Sequence, residues 1–462
     1  MAVRWRPPGG GSSRSKLRED FQHGDNTRRR CLRNDRMPVL TGTREQHHAV
    51  DRGQYLAPLV GLMMIMIDGY DLQSIGFVAP EIARAWSLDI AAFGVVFAAG
   101  LGGTIPGAML AGPAARRFGP GAVLKTSLLV FGVGSLATAQ AGDLSQLTLL
   151  RFMVGIGLGA AVPIVLSSVA QNSPARFRAA FVTAAGCGQP IGAILGSALC
   201  ARLIPAFGWK SAFILGGVLP LLIIPGVKVL LEGRGPRYDL ASSAGAADRP
   251  SGRVQDLFSR EFRATTLLIW AAASLCVCFL YVIVNWLPGI VRGRGYSFEN
   301  SVLVIGLFNT GTLIGALVFG ALIDRFGPFK VLPTALLAGG VFLSLLDVSL
   351  NSRPLLLAAA LLSGFSGGGG GMCLAAMLVL LYPSTLRTTG TGWALAFAKL
   401  FAALGPIAIA FALRAGLAKE HLFYFAGGAA AVAALCLITL AKVRASSVSV
   451  SGDPANGRRV VP

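Results

Sequence analysis

The sequence predicts an all-α membrane protein with twelve transmembrane helices in two pseudo-symmetric six-helix bundles. Of its 462 residues, 54% are hydrophobic and only 13% are charged. Mean hydropathy is +0.65, so the chain carries more apolar surface than a soluble core hides. Cutting at charged and Gly/Pro-rich punctuation leaves twelve apolar runs, each near the roughly 20 residues a helix needs to cross a bilayer. A motif also recurs at a fixed offset in the two halves of the chain, as expected of duplicated bundles.

The first six runs fall at about 56–80, 91–111, 121–140, 144–170, 179–201 and 211–231, the second six at about 264–288, 300–323, 330–349, 354–381, 389–413 and 422–441. They define bundles at 55–231 and 263–441, joined by a polar Gly/Ser/Pro/Arg linker at 232–262. Residues 1–54 are Arg-rich and lack the apolar core of a secretory signal, so a disordered basic tail is expected, with Met37 as an alternative start. Residues 442–462 form a second polar tail.

The net charge of +20 has no soluble basic domain to carry it, which argues against nucleic acid as a partner. Positive-inside orientation accounts for it better. Arg116, Arg117, Lys125, Arg176, Arg178, Arg325, Lys330 and Arg387, with the basic linker, fall on the side of both termini, which are therefore expected in the cytoplasm. The cysteines lack metal or redox spacing, and all four histidines lie in tails or loops. No metal or cofactor is expected, and proton chemistry falls to carboxylates.

The repeat pairs residues 116–126 (RRFGPGAVLKT) with 324–334 (DRFGPFKVLPT), identical at seven of eleven positions. Gly112 and Gly320 extend it at the same offset. It follows the second run of each half, so the halves share one membrane orientation. Gly112, Arg116, Arg117, Gly119, Gly320, Asp324, Arg325 and Gly327 are the candidate gating-loop residues.

Charges inside the runs are costly and are functional candidates by default. Asp68 lies about 13 residues, or roughly 20 Å, into the first run, near the midplane, and Asp71 shares its helix face at i+3. Two carboxylates that close in low dielectric do not both ionise cheaply, so one is expected to exchange a proton. The alternative is a structural ion pair. Lys399 reaches the same depth in the eleventh run, either to hold an anionic substrate or to pair with Asp68 or Asp71. Arg151, in the fourth run, is a second anion anchor or an aspartate partner. Tyr70, Gln189, Tyr281, Asn285, Trp286, Asn309 and Trp393 are candidate cavity-lining groups, each of which could instead simply join helices. The glycines Gly155, Gly157 and Gly159, and the run Gly367 to Gly371, read as close-packing surfaces. No Gly-Lys-Ser/Thr follows the latter, so it is not a phosphate loop.

The loop motif at 112–121 and 320–330, the DGYD of residues 68–71 followed by IGFVAP at 75–80, the LRF of 150–152, the IPAFGW of 204–209, the NWLP of 285–288 and the stretch from Tyr382-Pro383 through 387–394 together resemble the major facilitator superfamily, and within it the aromatic acid:proton symporters. The resemblance covers about 55–441. It implies alternating access, proton coupling through Asp68 and Asp71, an assisting role for Arg151, and a small aromatic carboxylate as substrate. A monomer in the bacterial inner membrane, driven by the proton gradient and without enzymatic chemistry, is implied with it. The chain departs from that pattern at Arg116 in place of Asp, at Gln171 in place of Glu, at Ile164 in place of Asn, and at Lys399 in place of Arg. A lysine does not grip a carboxylate as a two-pronged fork. The alternatives are a carrier of another organic anion, a drug efflux pump, or a non-transporting membrane sensor, the last favoured by the carboxylates missing at 116 and 171.

Overall fold

A computed structural model describes residues 52–173, 178–231, 254–383, 386–419 and 421–450. The described residues belong to one compact unit. The expected basic tail up to Asp51 with Met37, the linker up to Arg253, residues 451–462 and the side chains of Arg178 and Arg387 lie outside the described residues.

The first half contains α1 (Arg52–Ala85), α2 (Gly94–Phe118), α3 (Pro120–Thr138), α4 (Leu144–Asn172), α5 (Arg178–Gly186), α6 (Gly188–Phe207), α7 (Lys210–Leu222) and α8 (Gly226–Leu231). The second contains α9 (Arg263–Gly293), α10 (Phe298–Phe326), α11 (Pro328–Ser349), α12 (Arg353–Ser363), α13 (Gly369–Leu381), α14 (Arg387–Arg414) and α15 (His421–Val450). Among the described residues, 11 helical spans are long and apolar enough to cross a membrane. The shorter α7 stands where the sixth span is expected.

Three runs expected as unbroken helices are interrupted. The sixth breaks between Leu222 and Gly226, because Pro225 supplies no backbone donor and disfavours helical geometry at Ile224. The fifth is divided at Cys187 into α5 and α6. The tenth has a π-helical turn, Gly364–Gly368, between α12 and α13. At its end, α15 continues to Val450, beyond the expected boundary at 441. The end of the expected linker is also ordered: Val254–Phe258 forms a 3-10 turn with Leu257 buried, and the Leu257 carbonyl accepts a 3.0 Å bond from Thr266 Oγ1 of α9.

The repeat has a geometric cause. Gly119 (φ 81, ψ 149) and Gly327 (φ 82, ψ 152) take the same left-handed turn, and each is followed by a proline at the first helical position. That conformation is essentially restricted to glycine and would cost an L side chain about 1–3 kcal/mol, and the proline that follows, at the first helical position, loses no helical bond.

Glycine sets the helix spacing in both halves. A Cβ on Gly155 or Gly159 of α4 would overlap the α2 carbonyls of Gly100 and Thr104, and a Cβ on Gly311 or Gly315 of α10 would overlap those of Leu361 and Phe365. Backbones in direct contact are the usual solution where lipid provides no hydrophobic drive to associate.

The halves meet at the end of the bundle farthest from the 118–120 and 326–328 turns. There Gln73 and Asn309 exchange two amide hydrogen bonds, 3.0 and 2.8 Å, and Arg292 Nε meets Glu81 Oε1 at 3.1 Å. The Phe97 and Trp286 rings meet edge to face at 5.4 Å. A Cβ on Gly94 would strike the Pro406 carbonyl, and one on Gly76 the Val284 carbonyl. These contacts, made by α1 and α2 with α9, α10 and α14, seal this far end.

Candidate functional site: a midplane cavity and a buried ion pair

Below that seal lies a cavity of about 380 Å³, lined from α1, α2, α4 and α6 on one side and α9, the glycine-rich tenth span and α14 on the other. Asp68, Gln189, Tyr281 and Lys399 are its hydrogen-bonding or charged side chains besides Thr104; the rest of the wall is chiefly Leu, Val, Ala, Gly, Cys276 and Met372. Asp68 and Lys399 feel one another electrostatically without forming a contact ion pair. Tyr281 lies against Gln189 and within the field of Asp68. Lys399 keeps accessible surface toward the chamber. One chamber thus holds a cation, a carboxylate and two neutral polar groups in apolar walls. An amphipathic anion fits this chemistry, with its charge at Lys399 and its carbon frame on the walls.

Asp68 reaches the cavity because Gly69 lets α1 touch α6. A Cβ at residue 69 would overlap the Gln189 carbonyl, and one at Gly192 the Met66 carbonyl.

One helical turn on, Asp71 occupies a different setting. Its carboxylate is 2% exposed and Arg151 is 3% exposed, with Nη1 at 3.4 and 3.3 Å from the two carboxylate oxygens. Ser135 Oγ donates to Oδ1 at 3.3 Å, and Arg151 Nη2 donates to Thr138 Oγ1 at 2.9 Å. The guanidinium also lies 4.9 Å from the centre of the Phe213 ring. Arg151 Nε finds no acceptor among the described residues. Ion pair, hydroxyls and ring come from α1, α3, α4 and α7, so the network belongs wholly to the first half.

The other sequence candidates separate into groups. Gln189, Tyr281 and Lys399 line the cavity. Arg151 serves Asp71 rather than the cavity. Tyr70 turns away from it: its hydroxyl donates to the Ala212 carbonyl at 2.7 Å, and its ring lines an apolar groove between α1, α6 and α7. Asn309 is held by Gln73, and Trp286 packs on Phe97 in the far-end seal. Asn285 lies beside Asp71, and Trp393 is exposed on α14, outside the cavity wall. Arg116, Arg117, Asp324 and Arg325 are exposed beside their turns, with Gly112 and Gly320 one turn earlier on α2 and α10. Sequence reasoning missed Ser135, Thr138, Gln73 and the Glu81–Arg292 pair. The i, i+3 pair Ser135 and Thr138 in an apolar run, and the lone Glu81 at the end of α1, were the available signals.

Two pseudo-symmetric bundles enclosing a charged midplane chamber define a membrane transporter of the alternating-access class. The chain belongs to the Major Facilitator Superfamily, whose sequence profile matches residues 61–312 and 301–460. It is 33% identical to the 4-hydroxybenzoate transporter PcaK of Acinetobacter baylyi, across 77% of this chain and 84% of that one. It is also 33% identical to the gallate transporter of Pseudomonas putida, across 83% and 91%. The crystal structure of a D-xylose-proton symporter superposes with a TM-score of 0.68 at 17% identity, covering 83% of this chain and 97% of that one. The protein is a transporter and not an enzyme.

Proposed function

We propose that the protein imports a small aromatic carboxylate together with a proton across the bacterial inner membrane, as a monomer with both termini in the cytoplasm. The observation that carries this reading is the single chamber in which Lys399 and Asp68 face one another without contact among apolar walls. The names of the aromatic acid transporters to which the chain is about a third identical support the substrate class. The cations on the loops beside the termini support the orientation. In that orientation the sealed far end is outside and the chamber faces the cytoplasm.

In this mechanism a proton neutralises Asp71 while the seal is open, and the substrate carboxylate seats on Lys399. The movement that closes the seal carries both across, the proton leaving Asp71 during that movement and the substrate dissociating on the inner side after it. The driving ion is the proton, and no further cofactor takes part. Moving one anion with one proton adds no net charge to the carrier, so its load does not raise the barrier to reorientation in a low-dielectric surround.

The test is uptake of radiolabelled 4-hydroxybenzoate and benzoate into proteoliposomes under an inward proton gradient. Gradient-dependent uptake that disappears in Asp71→Asn supports the reading. Absence of uptake by folded wild-type protein discards the substrate class, and uptake indifferent to the gradient discards the coupling.

A further inference from the structure

Asp68 and Asp71 are one turn apart on α1, yet they open into two different spaces. Asp68 lines the 380 Å³ chamber. Asp71 lines a separate pocket of about 20 Å³, together with Arg151, Asn285, Ile75, Val96 and Phe97. That volume is room for a single water molecule. The pocket lies toward the far-end seal, since Phe97 is the ring that meets Trp286.

Three side chains line both spaces, namely Leu72 of α1, Leu101 of α2 and Leu158 of α4. Leu101 and Leu158 are 6% and 4% exposed. Leu101 also packs against Ala402 and Ala403 of α14, so the partition reaches across to the second half. All three side chains are aliphatic and cannot relay a proton. A water chain through them would sacrifice hydrogen bonds in an apolar environment at several kcal/mol per group.

We propose that Leu72, Leu101 and Leu158 form an apolar septum that stops a proton on Asp71 from passing directly to the chamber, so that it crosses only when the bundles move with substrate. The inference rests on the proton-coupled reading of the same site and adds the residues that prevent slippage. The two carboxylates then differ in access. Asp71 communicates with the side of the seal, and Asp68 with the chamber. Arg151 is the charged group facing Asp71 in its pocket, with Ser135 and Asn285 as neutral neighbours.

The septum is tested by proton flux in the absence of substrate. Proteoliposomes loaded with a pH-sensitive dye receive an inward proton gradient, with valinomycin and potassium clamping the voltage. Wild-type protein should acidify the lumen at the rate of protein-free vesicles until 4-hydroxybenzoate is added. Leu101→Ser and, independently, Leu158→Ala should raise the substrate-free rate at least tenfold, and adding Asp71→Asn to either should return it to background.

Substrate counterflow, which needs no gradient, identifies folded variants, and Leu72→Ala supplies a third partition residue if a serine at 101 is not accommodated. Background flux through all folded variants overturns the septum, as does a leak that persists with Asp71→Asn. Failure of wild-type protein to acidify on adding substrate overturns the coupled reading itself, and is a separate result from the leak.

Discussion

Arg151 holds Asp71 through one guanidinium nitrogen, Nη1, which lies 3.3–3.4 Å from both carboxylate oxygens, while its Nη2 is committed to Thr138. Both residues are almost fully buried. Removing one partner of such a pair strands the other charge, at roughly 3–5 kcal/mol, whereas replacing both with neutral groups of similar volume is close to neutral. Arg151→Met should therefore lower thermal stability in detergent markedly. Asp71→Asn combined with Arg151→Met should recover most of the loss while remaining inactive in gradient-driven uptake. Strictly additive losses in a thermal-shift series would show that the pair is not coupled.

Lys399 is the cation of the chamber and, among the described residues, approaches no carboxylate within contact distance. Replacing it with glutamine should weaken binding of an aromatic carboxylate at least tenfold and leave binding of the uncharged amide analogue within about twofold. Lys399→Arg keeps the charge and adds a second prong for a carboxylate, so it should retain or improve affinity. Equilibrium binding to detergent-solubilised protein reads both. Equal losses for acid and amide in Lys399→Gln would mean that the lysine shapes the wall and does not hold the anion.

The sequence made the architecture legible because lipid imposes a long apolar run on each crossing helix, and charged or glycine-rich punctuation marks the ends. Asp68, Asp71, Arg151 and Lys399 were equally visible, since a charge inside such a run has few reasons to be there. Which space each charge faces was not legible. A shift of three residues along α1 moves a carboxylate from the chamber to a sealed pocket, and that depends on α2 and α4 packing through Gly155 and Gly159. Neutral polar residues were the least readable. Asn309 and Gln189 look alike in sequence, but one closes the far end with Gln73 and the other lines the chamber. The same limit applied to Tyr70, whose neighbours on α6 and α7 are more than a hundred residues away in sequence.

The Gln73–Asn309 pair joins α1 to α10 with two hydrogen bonds that break when the far end opens. Gln73→Leu leaves the Asn309 amide with only its intrahelical bond to the Ile305 carbonyl, a penalty of about 1–3 kcal/mol specific to the sealed state. Each 1.4 kcal/mol is a tenfold change in population, so the open-outward form should rise on the order of tenfold or more. A cysteine introduced at Ser197, which now lies against Gly306 of α10, should then react faster with a membrane-impermeant maleimide added outside. An unchanged labelling rate would show that the amide pair does not bias the equilibrium.

Gly69 is the point at which chemistry and packing meet, since it separates Tyr70 and Asp71 from Asp68 and lies on the backbone of Gln189. A methyl group there has no flexible side chain to displace, only a main-chain carbonyl, so α1 and α6 must move apart. Overpacking of this kind costs typically 1–3 kcal/mol, and here it also shifts Asp68 relative to Gln189 in the chamber wall. Gly69→Ala should therefore reduce stability moderately and abolish uptake, with the loss of transport exceeding what the folded fraction explains. Gly102→Ala is the control, because a Cβ at that position meets nothing within 4 Å; it should behave as wild type in both thermal unfolding and uptake. If Gly69→Ala transports in proportion to its folded fraction, the close approach of α1 and α6 serves stability alone and the position of Asp68 tolerates the displacement.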